Sequence, residues 1–269
     1  QYTECESDMA RTLYLHLGMN KSGSTTIQRS FYNYSDSRLS YFRANSSNHF
    51  GLLLNRWRRS CGLPIESTEK GLSLSMVELE IDRLNDELEN GEKSLILSGE
   101  ALSGWRFPSE AIEPTVLDFA QHFDEVVGIA YIREPVSYIR SSMQQHVKRF
   151  PGRFDLNFHY PHYKRRLGCW VAVLSEWDLQ LVPFSREYFH NQDLISDFEL
   201  RVGAEQSVKR RNIENSSLSA EAFSLMWKYH KDLGSRYTKD EKLLLMKRAE
   251  YLLMDYGSRN FEISEEKCR

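Results

Sequence analysis

The sequence lacks the features that mark several large classes of protein. None of its 4 cysteines has the CxxC spacing of a metal or redox motif, so free thiols are expected, with a disulfide left open for a lumenal protein. No run of 18 apolar residues is present that could form a transmembrane helix. The net charge of −3 excludes the basic balance of a general nucleic-acid binder. Repeats and low-complexity tracts are absent as well.

The most informative segment is Leu17–Thr26, with the sequence LGMNKSGSTT. It follows a short alternating run, Thr12–His16, that predicts a β-strand. It precedes a segment in which Ile27, Phe31 and Tyr34 fall on one helical face. A strand, a glycine-containing turn and a hydroxyl-rich helix start are the layout of a phosphate-binding loop, because the first N–H groups of a helix have no internal partner and point at an anion.

The details of this loop depart from the common nucleotide-binding motif. Gly18 and Gly23 have the glycine spacing of a Walker A loop, but Ser24 stands where that motif has its lysine. The lysine of this loop, Lys21, lies between the glycines instead. This departure argues against an ordinary ATPase or GTPase. A loop whose lysine merely faces solvent is the alternative reading of the segment by itself.

A second anion-binding pattern follows a second strand. The apolar β-branched run Glu125–Ile132 is typical of a strand buried in a parallel sheet. Arg133 ends this strand, and Pro135 suits the first turn of a helix. That helix has an apolar stripe made by Val136, Ile139, Met143 and Val147. Ser141 lies off the stripe, so Arg133 and Ser141 are expected to bind one anion together. A surface ion pair and an ordinary helix hydroxyl are the alternative.

Together these motifs resemble those of sulfotransferases that use 3′-phosphoadenosine 5′-phosphosulfate (PAPS), and the glycan-type and bacterial members in particular. The 5′-phosphosulfate loop of that family is similar to Lys21 followed by Gly23 and three hydroxyls, and its 3′-phosphate motif is similar to Arg133, Pro135 and Ser141. The resemblance implies a catalytic role for Lys21 at the leaving group. It implies that the donor is bound by Lys21, Ser22, Gly23, Ser24, Thr25, Thr26, Arg133 and Ser141.

A carboxylate follows a third strand-like segment, Lys93–Ser98. Open α/β sheets bind ligands outside the carboxyl ends of their strands, where Glu100 is expected. The resemblance to glycan-type sulfotransferases implies that Glu100 is the catalytic base toward the acceptor hydroxyl. The alternative is that Glu100 caps the next segment or pairs with a basic neighbour. In that case His146 or a histidine of Phe150–Arg166 is the leading candidate for the base.

A basic pair, Arg210 and Arg211, precedes the last helices of the chain. In the family a basic segment at this point helps to cover the nucleotide, so the resemblance implies that both arginines bind the donor. Here the sequence reads RRN where the family has RKG. A basic loop followed by a Ser219 N-cap is the alternative.

The order of the elements predicts one P-loop-like α/β domain over residues 1–269. Alternating strand and helix patterns run from Thr12 to about Gly203, which favours a central, mainly parallel sheet flanked by helices. Helical additions at the C-terminal end are expected at Ala220–Asp232 and Lys239–Tyr256. The other predicted elements are a helix at Ser75–Asn90, a strand at Leu179–Phe184 and a helix at Leu194–Val202; the segment Ser35–Glu69 reads as irregular.

The resulting hypothesis is transfer of a sulfuryl group from PAPS to an acceptor hydroxyl, without a metal. A carbohydrate is the favoured acceptor, from the resemblance at Glu100 alone. The alternatives are a nucleotide kinase-like phosphoryl transferase, which would need Mg²⁺ carboxylates and a lysine at position 24, and a non-catalytic nucleotide-binding protein. Neither a nucleic-acid partner nor a membrane span is expected, and the oligomeric state stays open. A cytoplasmic bacterial location is favoured; because the chain begins with Gln1, a lumenal enzyme with a removed N-terminal anchor is the alternative.

Overall fold

A computed structural model of the chain describes residues 10–67, 72–104, 106–149, 159–210, 217–233 and 237–263. In these residues the strands are β1 (Thr12–Leu17), β2 (Leu39–Tyr41), β3 (Ser94–Gly99), β4 (Glu125–Ile132) and β5 (Asp178–Pro183). The α-helices are α1 (Ser24–Phe31), α2 (Phe50–Ser60), α3 (Leu74–Asn90), α4 (Ser109–Phe119), α5 (Pro135–Arg149), α6 (Tyr163–Leu174), α7 (Leu194–Val202), α8 (Ala220–Leu233) and α9 (Lys239–Leu253).

The strands form one parallel sheet in the order β2-β3-β1-β4-β5. This confirms the α/β class and the parallel sheet. The strand pattern was read correctly at β1, β3, β4 and β5. The interpretation of Ser35–Glu69 as irregular is wrong, since this segment contains β2 and α2. A strand of 3 residues is too short to show an alternation, which explains why β2 escaped detection.

The described residues group into two compact units. The first unit takes residues 1–132 and 163–212 and contains the whole sheet, whereas the second takes residues 133–162 and 213–269 and contains α5, α8 and α9. The single domain over residues 1–269 stays a prediction. No helix in the part of the chain described here is long and apolar enough to cross a membrane. Cys61 and Cys169 are exposed free thiols, while Cys5 and Cys268 lie outside the described residues.

The first unit buries both faces of its sheet, because successive strand residues point to opposite sides. On one face, Leu95, Leu97 and Val126 pack with α2, α3, α4 and α6. On the other face, Ile96 and Val127 pack with α1 and α7. The apolar stripe predicted for α3 is buried as expected, at Val77, Ile81, Leu84 and Leu88.

The second unit has an apolar core of its own. Ile139, Met143 and Val147 of α5 are buried against residues of α8 and α9, which confirms most of the predicted α5 stripe. An ion pair between Lys148 and Glu250, 2.9 Å apart, joins α5 to α9 at the edge of this core.

The strand order defines where the first unit can bind a ligand. β1 is the central strand, and the chain places β2 and β3 on one side of it and β4 and β5 on the other. The strand order therefore changes direction at β1. Such a change leaves a crevice at the carboxyl end of the central strand, between the helices that follow the neighbouring strands on opposite faces of the sheet. The Leu17–Thr26 segment lies at this end of β1.

Candidate functional site

The loop between β1 and α1 is tied to the end of β3. The backbone N–H of Gly18 donates to the carbonyl oxygens of His16 and Gly99, at 3.0 Å each. Ser103 Oγ donates to the Gly18 carbonyl oxygen at 2.8 Å. A Cβ on Gly18 would lie only 2.8 Å from Cα of Glu100. Glycine is therefore required here by the close approach of β1 and the residue that follows β3.

Two left-handed residues curl the loop around the N-terminus of α1. Lys21 has a φ of 67°, and Gly23 has a φ of 75° and precedes the first residue of the helix. Gly23, the N-cap residue of α1, provides no side-chain cap, and the first turn of the helix carries no acidic residue. The first backbone N–H groups of the helix are therefore available to an anion, as a 5′-phosphate would need.

The loop hydroxyls differ in what they contact. Ser24 is buried, and its Oγ donates to the Met19 carbonyl oxygen at 3.0 Å, so its contribution to anion binding would come from the backbone N–H. Thr25 is exposed and Thr26 is half-buried. Ser22 is fully buried, and its Oγ has no hydrogen-bond partner among the described residues. An unsatisfied buried hydroxyl in this loop fits a site whose anionic ligand completes the hydrogen bonding.

A buried polar layer lies beneath the loop. Gln28 Nε2 of α1 donates to Ser98 Oγ at 3.2 Å, and Ser98 Oγ also forms a hydrogen bond with His16 Nδ1 at 2.7 Å. His49 Nδ1 accepts from the backbone N–H of Ser98 at 3.1 Å. Burial lowers the pKa of His16 and of His49 to about 3, so both rings are neutral. These contacts hold α1 and the start of α2 on the strands β1 and β3.

This layer was not anticipated from the sequence. His16 and Ser98 read as ordinary members of strand patterns, and His49 lies in the segment interpreted as irregular. A polar residue in an otherwise buried apolar strand was the only local signal.

Glu100 lies in the same crevice as the loop. It is half-buried at the carboxyl end of β3, beside β1. Its backbone N–H donates to Asn48 Oδ1 at 3.0 Å, and the same oxygen accepts from the backbone N–H of Phe50 at 3.2 Å. Asn48 therefore joins the end of β3 to the start of α2. The strand order thus brings the expected base and the phosphate loop together, while the catalytic role of Glu100 stays a prediction.

The Arg133 pattern lies in the second unit, at the start of α5. Arg133 Nε donates to Ser137 Oγ at 2.8 Å, so the serine nearest to Arg133 orients its guanidinium. The Glu134 carboxylate accepts from the backbone N–H groups of Val136 and Ser137, at 2.8 and 2.6 Å, and caps the helix. Ser141 is half-buried. Binding of a 3′-phosphate by Arg133 and Ser141 stays a prediction.

Arg210 lies on an open cleft of about 680 Å³ in the first unit. Its guanidinium donates to Ser196 Oγ at 3.0 Å and lies 3.3 Å from the Asp193 carboxylate. The cleft is also lined by Phe184 and Leu194, the two side chains that a Cβ on Gly23 would meet. The cleft therefore borders the phosphate loop. The predicted donor contact of Arg210 is untested, and Arg211 lies outside the described residues.

Comparison of the sequence with family models and with curated proteins gave no match. Among solved structures, the chain is similar to the "Sulfotransferase Domain from the Curacin Biosynthetic Pathway", with 14% sequence identity and a TM-score of 0.41. The alignment covers 91% of this chain and 98% of that chain. A likeness at this TM-score carries no argument about function, which is built below on the residues of the loop and of the crevice.

Proposed function

We propose that the protein transfers a sulfuryl group from PAPS to an acceptor hydroxyl. The observation that carries this proposal is the crevice at the end of β1. There an uncapped helix N-terminus, a loop with a lysine between its two glycines, and Glu100 on the neighbouring strand come together. A phosphate loop without the Walker lysine and with a nearby carboxylate fits sulfuryl transfer better than phosphoryl transfer from ATP.

The residues of the loop supply the binding of the donor. The backbone N–H groups of Gly23, Ser24 and Thr25 are suited to the 5′-phosphate, and Ser22 Oγ is a buried hydroxyl that lacks a partner among the described residues. Arg133, oriented by Ser137, and Ser141 would bind the 3′-phosphate. When bound, PAPS supplies a sulfuryl group that is activated by its bond to the 5′-phosphate.

The chemistry divides between two side chains. Glu100 takes the proton of the acceptor hydroxyl as the acceptor oxygen forms its bond to sulfur. Lys21 stabilises the negative charge on the 5′-phosphate oxygen that loses its bond to the same sulfur. The products are a sulfate ester and 3′-phosphoadenosine 5′-phosphate (PAP), and the proton of the acceptor hydroxyl is left on Glu100. Positioned donors of this kind commonly contribute about 3–4 kcal/mol to transition-state stabilisation.

A carbohydrate remains the favoured acceptor, on the resemblance of Glu100 to the base of glycan-type enzymes. The two rivals are a phosphoryl transferase and a nucleotide-binding protein without activity. Ser24 at the position of the Walker lysine is the observation against the first of them.

The test combines calorimetry and turnover. Tight binding of PAP, weaker binding of AMP, and transfer of labelled sulfate from PAPS to a hydroxyl acceptor in the presence of EDTA are the expected results. Transfer from ATP and Mg²⁺ but not from PAPS would replace the proposal with the first rival. Tight PAP binding without turnover over a broad panel of acceptors would favour the second.

A further inference from the structure

The turn that follows Glu100 is fixed to the core of the first unit. Leu102 and Phe107 are buried, and the Leu102 carbonyl oxygen accepts from Trp170 Nε1 at 2.9 Å. Ser103, in the same turn, donates to the Gly18 carbonyl oxygen of the phosphate loop at 2.8 Å. The turn is therefore tied both to the core and to the phosphate loop.

Arg106 is the cation displayed by this turn. Its side chain is exposed, and its guanidinium carbon lies 5.4 Å from the centre of the Phe50 ring, within the range of a cation–π contact. Phe50 also touches the other end of the turn, since its Cα lies 3.3 Å from the place of a Cβ on Gly99. Among the described residues, Arg106 forms no ion pair. Arg106 therefore places a positive charge on the turn that begins at Glu100, and its guanidinium can donate two parallel hydrogen bonds to an anion.

Asn48 adds an oriented amide to the same place. Its Oδ1 accepts from the backbone N–H groups of Glu100 and Phe50, so this atom must be the oxygen, because an amide nitrogen cannot accept from them. The two N–H donors of Asn48 Nδ2 are therefore directed away from both backbone groups. No partner for them occurs in the described parts of the chain.

From this arrangement we infer that Asn48 and Arg106 form an acceptor subsite, and that the acceptor carries an anionic group close to the hydroxyl that reacts. The inference rests on the proposed function, because it assigns Glu100 to the reacting hydroxyl. A carboxylate or a sulfate ester would accept two parallel hydrogen bonds from the guanidinium, and the Asn48 amide would donate to a neighbouring oxygen. A base without these neighbours would not distinguish acidic acceptors from neutral ones.

The test uses a matched pair of probes that differ in one group, methyl β-D-glucuronide and methyl β-D-glucoside, together with glucose 6-sulfate. For the wild type, kcat/KM should be at least about tenfold higher for the glucuronide or the 6-sulfate than for the glucoside, since a charge-assisted hydrogen bond is strong. The better of the two anionic probes identifies the anion as carboxylate or sulfate.

Arg106→Ala should remove the preference, mainly through KM, and Arg106→Glu should reverse it. Asn48→Asp keeps an oxygen for the two backbone N–H groups but replaces the donors with negative charge, so it should selectively impair the anionic probes. Arg59→Ala is the matched control: Arg59 is an arginine of the last turn of α2 whose partner is Asp82, and its loss should leave the preference unchanged. PAP affinity, measured by calorimetry, should be the same in all four variants.

Equal kcat/KM for anionic and neutral probes in the wild type, or an unchanged preference in Arg106→Glu, would overturn the inference. If none of the probes is turned over, ligand-observed NMR of the same probes decides: the anionic ones should bind the wild type and not Arg106→Glu, and equal binding would refute the subsite. Failure of the wild type to bind PAP refutes the proposed function instead, and the NMR comparison still reports on Arg106.

Discussion

Gly18 and Glu100 lie against each other across the carboxyl ends of β1 and β3, so closely that a Cβ on Gly18 would come within 2.8 Å of the Glu100 Cα. The contact joins the phosphate loop to the candidate base. It exists because β3 is the parallel neighbour of β1, with Leu17 in register with Gly99. The donor loop and the acceptor side of the crevice are therefore parts of one rigid arrangement.

Gly23→Ala should destabilise the protein and weaken PAP binding. A methyl group there would lie 2.3 Å from Leu194 Cδ2 and 2.9 Å from Phe184 Cε2, and the residue has a φ of 75°. Left-handed strain and overpacking together should lower the free energy of unfolding by roughly 2–4 kcal/mol. Gly203→Ala is the matched control, because Gly203 has a φ of 65° but nothing within 4 Å of the added methyl group. The free energy of unfolding of both variants can be measured with urea. Equal decreases for Gly23→Ala and Gly203→Ala would contradict the steric part of this argument.

Glu100→Gln should separate catalysis from donor binding. Glutamine preserves the shape of the side chain but removes its basicity, so kcat for sulfuryl transfer should fall by about 10²–10⁴-fold. PAP affinity should change little, because Glu100 belongs to neither phosphate motif. Turnover near the wild-type rate would assign the role of base to another residue, with His146 or a histidine of Phe150–Arg166 as the leading candidate.

Arg133→Ala should reduce the affinity for PAP by about 10- to 100-fold and leave AMP affinity nearly unchanged, because a charge-assisted hydrogen bond to the 3′-phosphate contributes about 1.5–3 kcal/mol. Arg133→Lys should recover only part of this loss, since lysine lacks the planar fork. Titration calorimetry with both nucleotides measures these effects. Equal affinity of the wild type for PAP and AMP would refute the assignment of the 3′-phosphate to Arg133.

Acid should destabilise the fold through its buried histidines. Burial lowers the pKa of His49 from 6.5 to about 3. Between these values the unfolded chain binds a proton that the folded chain does not, so the free energy of unfolding falls as the pH falls. The contribution is at most about 1.4 kcal/mol per pH unit for each such group. Burial also lowers the pKa of His16 to about 3, so His16 should likewise reduce the free energy of unfolding as the pH falls.

His49→Gln tests this pH dependence, because glutamine can still accept from the Ser98 N–H but does not titrate. Its free energy of unfolding, from urea curves at pH 7, 6, 5 and 4, should decline less steeply than that of the wild type. Identical slopes would show that His49 does not contribute to the acid sensitivity.

Prediction from the sequence worked where the signal was local and strong. The amphipathic period of α3 and the glycine that follows α7, Gly203, placed those helices within one residue of their observed bounds. It failed for β2 and α2. The first is a short edge strand, and in the second the run of Arg56, Arg58 and Arg59 hid the apolar face that begins at Phe50. These arginines pair with carboxylates of neighbouring segments, which no local pattern reveals.

By itself, the sequence determined the local pieces of this protein: the strands that precede Gly18 and Arg133, the glycines of the loop, and a carboxylate after a third strand. These follow from side-chain periodicity and from the conformational freedom of glycine, which act over a few residues. Only the tertiary structure decided that Glu100 lies beside Gly18, that Leu194 and Phe184 exclude a side chain at residue 23, and that Arg106 contacts the same Phe50 whose backbone N–H donates to Asn48. Each of these contacts depends on the order of the strands in the sheet, and burial of apolar surface on both faces of the sheet selects that order over the whole chain at once.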